Sequence, residues 1–172
     1  MPRLLLIETA TRVCSLALSI DGKIAALRES SEKNIHSSVI TLFIDEIMKM
    51  SGVDYSALDA ICVSKGPGSY TGLRIGVSTA KGLCFALDRP LIAVGTLDAL
   101  AWGGRQQLAA AGQYAQDDLL CPMIDARRME VYYSLFDADL SPMKETVAEI
   151  IHQDSFNDLL KDHRVWFTGD GA

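Results

Sequence analysis

Histidine is scarce in this chain: there are three in 172 residues, at positions 36, 152 and 163. None stands three or four positions from another, so no two imidazoles can share one helix face as metal ligands. The H-E-x-x-H string of zinc peptidases and the G-x-S-x-G nucleophile elbow are both missing. Cysteine is little better supplied. The four cysteines, at 14, 62, 84 and 121, each sit inside an apolar stretch, and no C-x-x-C pair occurs. That pattern fits buried reduced thiols, not a zinc site or a disulfide framework. No apolar run is long enough to span a bilayer. The N-terminal run M-P-R-L-L-L-I ends at Glu8 and is too short for a secretory signal, so a cytoplasmic protein without membrane contact is expected. Positive charge is in deficit. A net charge of −6 argues against the chain as a whole gripping a nucleic-acid backbone. Arg127-Arg128 is a local exception, open to two readings: stabilising a turn or contacting an acidic partner.

Glycine, by contrast, concentrates where helices least tolerate it. Ala60–Val63 reads as a buried strand that runs into Gly66-Pro67-Gly68, a turn built from residues that supply unusual φ values. Ser69 or Thr71 then offers an oxygen to the free N–H groups of the helix that follows. That helix carries Gly72, Gly76 and Gly82, each costing about 1 kcal/mol relative to alanine. Gly72, Gly76 and Ala80 fall four apart with Thr79 beside them, a face so bare that another backbone can approach closely. The competing reading, a phosphate cradle, lacks the Gly-Lys-Ser/Thr of a P-loop, and the Rossmann spacing is missed by one residue.

Around this centre the chain alternates strands and helices. Arg3–Ile7, Cys14–Ile20 and Lys23–Glu29 read as an antiparallel meander with Asp21-Gly22 as a hairpin turn. A helix over Ile35–Met50 stops at Gly52. Its apolar positions (Val39, Ile40, Phe43, Ile44, Ile47 and Met48, with Leu42 and Met50 in addition) make a stripe wider than one core-facing side requires. Two explanations stand: a second edge offered to a partner, or deep burial. Leu91–Val94 is the next strand, and Thr96 is the expected N-cap of a helix ending at Gly112.

The second half repeats the first. Leu119–Asp125, Glu130–Phe136 and a strand around Lys144–Val147 precede a helix over Asp154–Lys161 and a strand at Val165–Thr168. That strand empties into Gly169-Asp170-Gly171, as the earlier one emptied into Gly66-Pro67-Gly68. The second copy stops where its glycine-bearing helix would begin, which leaves a sheet face under-covered. The expected lobes are 1–111 and 112–172. Glu8 and Asp125 end the first strand of each copy, where they either cap a turn or hold a hydrated metal at a nucleotide cleft.

Tandem β-β-β-α-β-α units with these acids resemble the actin-like, sugar-kinase and Hsp70 class of α/β fold, ribonuclease H-like in each half. The match becomes specific at I-E-T-A-T (Ile7–Thr11), G-P-G-S-Y-T-G-L-R-I-G (Gly66–Gly76) and I-D-A-R-R-M-E-V-Y (Ile124–Tyr132). Over essentially its whole length the chain is similar to the TsaB (YeaZ) family, needed to make threonylcarbamoyladenosine in tRNA. Relatives of that family usually run further.

The resemblance implies a non-catalytic scaffold and activator subunit that dimerises with the paralogue TsaD and works with the ATPase TsaE on tRNA. ATP and a metal are expected on those partners, and no cofactor on this chain alone. In TsaD two histidines hold a metal just after the strand that follows the glycine helix. The matching positions here are Thr96 and Leu100, neither able to replace imidazole. TsaD's glycine turn for phosphate corresponds to Asp125–Met129, which has no glycine. The implied partner surface combines His36, Val39, Ile40, Phe43 and Ile47 of the first long helix with Gly72, Ile75, Gly76, Thr79 and Ala80 of the glycine helix. In isolation this surface can self-associate. The alternative is an ATP-dependent enzyme of the same fold, or a metallopeptidase as the older glycoprotease naming suggests.

Overall fold

In the computed structural model, which describes residues 1–32 and 36–172, two mixed sheets each collect their own helices. The first unit is Met1–Val94. Strands β1 (Arg3–Glu8), β2 (Cys14–Ile20) and β3 (Lys23–Ser30) form the expected meander, and Asp21-Gly22 turns it with positive φ at both residues. Helix α1 (His36–Ser51) leads through a 3₁₀ turn at Tyr55–Ala57 into β4 (Ala60–Ser64). Helix α2 (Tyr70–Leu87) then leads to β5 (Leu91–Val94). β4 pairs parallel with β1, and β5 parallel with β4, giving the order β3-β2-β1-β4-β5.

Alternation along the strands decides which side the helices cover. Leu5 and Ile7, Leu16 and Leu18, Ile61 and Val63 share one core with Ile40, Ile44, Ile47 and Met48 of α1 and Ala80 of α2. Of the two readings of the wide α1 stripe, burial accounts for Ile40 and Ile47, while Leu42 is left 59% exposed.

The second unit is Gly95–Ala172. It holds α3 (Thr96–Ala110), β6 (Leu119–Arg127), β7 (Glu130–Phe136), β8 (Pro142–Ile150), α4 (Asn157–Asp162) and β9 (Val165–Thr168). Its sheet order, β8-β7-β6-β9, repeats that of the first four strands. By packing, the division falls after Val94, whereas the sequence suggested 111/112. Helix α3 sits on the second sheet, where Ala101 joins Leu120 and Phe136 in one cluster. The opposite face of that sheet packs Cys121, Met123 and Tyr133 under Phe156, which precedes α4.

Thr96 is not the N-cap of α3. Gly95 takes that position without a side-chain cap, and the buried Thr96 hydroxyl has no partner. β8 is longer than its charged sequence suggested and α4 is shorter, starting at Asn157 rather than Asp154. No helix among the described residues is long and apolar enough to cross a membrane.

One ionic cluster fastens the second sheet. Asp118, 3% exposed, accepts two hydrogen bonds from Arg164 and one from the Trp166 indole, and a further one from the Ala115 N–H. The Arg164 guanidinium, foremost, holds the Asp118 carboxyl down at about 2. Because its folded value lies below the ordinary one, the linked stability is present above about pH 4 and is lost as pH falls toward 2. Arg164 is half exposed, so the contribution is discounted to about 1–2 kcal/mol. Both tryptophans, Trp102 and Trp166, belong to this unit, so their fluorescence follows its unfolding. Asp118→Asn is expected to lower the urea midpoint of that signal at pH 7, with the gap from wild type narrowing below about pH 4.

Candidate functional site

The expected site residues divide into two acids at strand ends and a set of positions on α1 and α2. Glu8 is engaged in its own turn. One carboxylate oxygen accepts from the Ala10 N–H at 2.6 Å and the other from the Ser64 hydroxyl. Asp125 behaves alike in the second unit, accepting from the Arg127 N–H at 2.7 Å, while its own N–H donates to Asp170 at 3.2 Å. Both acids therefore cap the turns that follow them.

The glycine helix begins as its residues suggest. Ser69 is the N-cap, and its hydroxyl accepts from the Gly72 N–H at 3.3 Å. What lies on the bare face is the β1–β2 turn of the same unit. A Cβ at Gly72 would overlap the Thr9 carbonyl oxygen, and one at Gly76 the Thr9 hydroxyl. At Gly68, whose φ is +152°, a Cβ would overlap the Ala10 carbonyl, and the Ser69 N–H donates to that same carbonyl at 2.6 Å. Close approach is thus the purpose of these glycines, but the approaching backbone is the chain's own. Thr9 is fully buried, and its hydroxyl has no hydrogen-bond partner.

This corrects half of the expected partner surface. Gly72, Gly76 and Ala80 are buried under the β1–β2 turn and the core, and Ile40 and Ile47 lie in the core. Val39, Phe43 and Ile75 are half-buried against it, and Thr79 is half-buried as well. His36 opens α1, but its side chain lies outside the described residues, as does Ile35, the expected start.

The outer face of α2 is instead Thr71, Arg74, Ser78, Lys81, Gly82 and Phe85, the last 92% exposed. A Cβ at Gly82 would meet nothing within 4 Å. On α1 the outer face includes Thr41, Leu42, Glu46 and Lys49. Phe85 was not singled out from the sequence because it stands among polar neighbours, Ser78, Lys81 and Gly82, and Leu42 counted only as an addition to the wide apolar set of the first helix.

Among the described residues no three of His, Cys, Asp or Glu converge as metal ligands. Thr96 and Leu100, one turn apart on α3, offer a buried hydroxyl and an alkyl group. At the second strand-end turn, a Cβ at Gly169 would overlap the Met123 carbonyl, and one at Gly171 would come within 2.9 Å of Ile124. Those glycines serve packing against β6.

Solved structures with this architecture exist. YeaZ from Pseudomonas aeruginosa matches with a TM-score of 0.73 at 31% identity, over 87% of this chain and 68% of that one. The ethanolamine utilization protein EutJ from Carboxydothermus hydrogenoformans, with a TM-score of 0.52 at 11% identity, shares the fold alone, over 93% of this chain and 56% of its own. The fold is of the actin-like α/β class. The TsaD family, described as tRNA N6-adenosine threonylcarbamoyltransferase, matches residues 29–162. A Haemophilus influenzae protein named tRNA threonylcarbamoyladenosine biosynthesis protein TsaB is 37% identical over 131 residues, 76% of this chain and 52% of that protein. Its Escherichia coli namesake is 35% identical over 158 residues, 88% of this chain and 65% of that protein. The chain belongs to the TsaD-related family of threonylcarbamoyladenosine proteins, on its TsaB (YeaZ) branch. It spans between 52% and 65% of the length of these two curated relatives.

The packing of Thr9 generates a rescue test. Gly76→Ala meets a side-chain atom and Gly72→Ala a backbone atom, so only the first is relieved by trimming Thr9. Each glycine substitution is expected to destabilise the first unit by about 1–3 kcal/mol. Adding Thr9→Ala is expected to restore most of the Gly76→Ala loss and little of the Gly72→Ala loss, read by native-state hydrogen exchange of α2 amides.

Proposed function

We propose that this chain is a non-catalytic subunit in the formation of N6-threonylcarbamoyladenosine in cytoplasmic tRNA. It would bind a TsaD-type transferase through the outer faces of α1 and α2 and hold it in a competent conformation. A TsaE-type ATPase completes the assembly, and ATP and metal are bound on those partners.

The observation that carries this reading is the combination of family membership with a chemistry-poor interior. The chain shares the transferase's family over residues 29–162, and by the resemblance the positions of that paralogue's metal-binding histidines fall on Thr96 and Leu100. The acids at the strand ends are engaged in turns. What the chain does present is exposed apolar surface on α1 and α2, including Phe85, Tyr70 and Leu42. Burying a side chain such as Phe85 or Leu42 in an interface is worth about 1.5–3 kcal/mol. Arg74 and Lys81 on the same α2 face favour a partner that brings carboxylates to the rim.

The test is reconstitution with a TsaD-type transferase, a TsaE-type ATPase and threonylcarbamoyl-adenylate, reading modified nucleoside in tRNA by mass spectrometry. The chain alone is expected to transfer nothing, and the transferase to depend on it. The double variant Leu42→Asp/Phe85→Asp is expected to weaken co-purification with the transferase by about a hundredfold with an unchanged melting temperature. Wild-type binding by that variant, or transfer by the isolated chain, would overturn the reading.

A further inference from the structure

Two hairpins in this chain share one turn geometry and differ in what forms it. β2 and β3 are joined by two residues, Asp21-Gly22, with φ of 52° and 77°. β6 and β7 are also joined by two residues, since Arg127 pairs with Glu130 across Arg128-Met129. There φ is 58° at Arg128 and 66° at Met129, and Arg127, at a bulge, has 69°. A two-residue turn with both φ values positive selects Asn-Gly or Asp-Gly, because a Cβ is penalised there. The first hairpin obeys that selection. The second places three long side chains in succession where it disfavours all of them.

Among the described residues no contact of these side chains compensates. The Arg127 and Arg128 side chains are exposed, and neither makes a hydrogen bond or ion pair among the described residues. Met129 is 81% exposed. The turn is held by backbone means instead: Asp125 accepts from the Arg127 N–H, and its carboxylate is thereby committed to the main chain. Of the two readings of this arginine pair, turn stabilisation has a main-chain contact behind it, through the Arg127 N–H, and no side-chain one. Strain kept at exposed, unpaired cationic residues points to a ligand outside the chain.

We infer that the Arg127–Met129 tip is a contact for RNA, pairing its guanidinium groups with backbone phosphates or stacking them on unpaired bases. The inference rests on the tRNA reading proposed above, which supplies RNA as the anionic partner. Guanidinium suits both modes, because its planar fork matches phosphate oxygens and its face stacks on a base. In a chain of net charge −6 such a contact stays local, so it orients the RNA and adds little general affinity.

Because strain and contact are separable, one double variant tests both. Arg128→Asn/Met129→Gly supplies the residues this turn prefers and is expected to raise the melting temperature by about 3–6 °C. It is also expected to weaken binding of a tRNA transcript by about tenfold, in the chain alone and in the assembly with transferase and ATPase. The slope of log affinity on log salt should fall by about 1, and Arg128→Lys should retain most of that slope. Unchanged tRNA affinity in the stabilised variant overturns the inference, as does wild-type chain that binds no tRNA. Loss of transferase binding in place of RNA binding overturns it too, by making the tip a protein contact. A failure of the subunit reading is distinguishable, since it appears as modification of tRNA that does not depend on this chain at all.

Discussion

Everything in the first unit depends on how closely two residues, Thr9 and Ala10, lie against α2. The β1–β2 turn enters the space left by Gly68, Gly72 and Gly76, and no larger residue fits at any of the three. This one contact fixes the path of β1 relative to the helix and sets the rotation of α2 about its axis. Once Gly72, Gly76 and Ala80 face inward, the helical period sends Thr71, Arg74, Ser78, Lys81 and Phe85 outward. The same contact commits Glu8, at the end of β1, to the Ala10 N–H and the Ser64 hydroxyl. A glycine face that would suit phosphate or a partner is consumed in building the scaffold.

The two units show one architecture bent to different ends. Both order their first four strands identically, and both send a strand into a glycine turn beside the first strand of the unit. In each, the turn glycines face a neighbouring main chain, Ala10 in one case and Met123 in the other. An actin-like cleft needs bare backbone at such turns. Here the glycines of both turns lie against the chain's own main chain instead.

Much of this was legible in the sequence because turn chemistry and strand alternation are local. Asp21-Gly22, Gly52 and Gly112 all occupy the positive-φ positions that their residue types announce. Ser69 caps α2, and the repeat could be counted from strand patterns. What was not legible depends on partners distant in sequence. A bare helix face says that something approaches closely, but not that Thr9, more than sixty residues upstream, is what approaches. Apolar residues ring much of α1, and only tertiary packing decides that Ile40 and Ile47 are covered while Leu42 stays wet. Helix α3 follows the last strand of the first sheet directly in sequence, and only its packing of Ala101 on Leu120 and Phe136 assigns it to the second unit. The Arg128-Met129 turn escaped notice for the opposite reason: it uses residues its geometry disfavours.

The central claim is that the small-residue face of α2 is internal and its Phe85 face is the one available to a partner. Site-resolved thiol labelling of Ala80→Cys and Phe85→Cys measures this directly. The account predicts that the thiol at position 80 is labelled slowly in the folded chain, while the one at 85 is labelled at the rate of an unfolded peptide and becomes protected when a TsaD-type transferase is added. Fast labelling at position 80, or no protection at 85 in a formed complex, would contradict it.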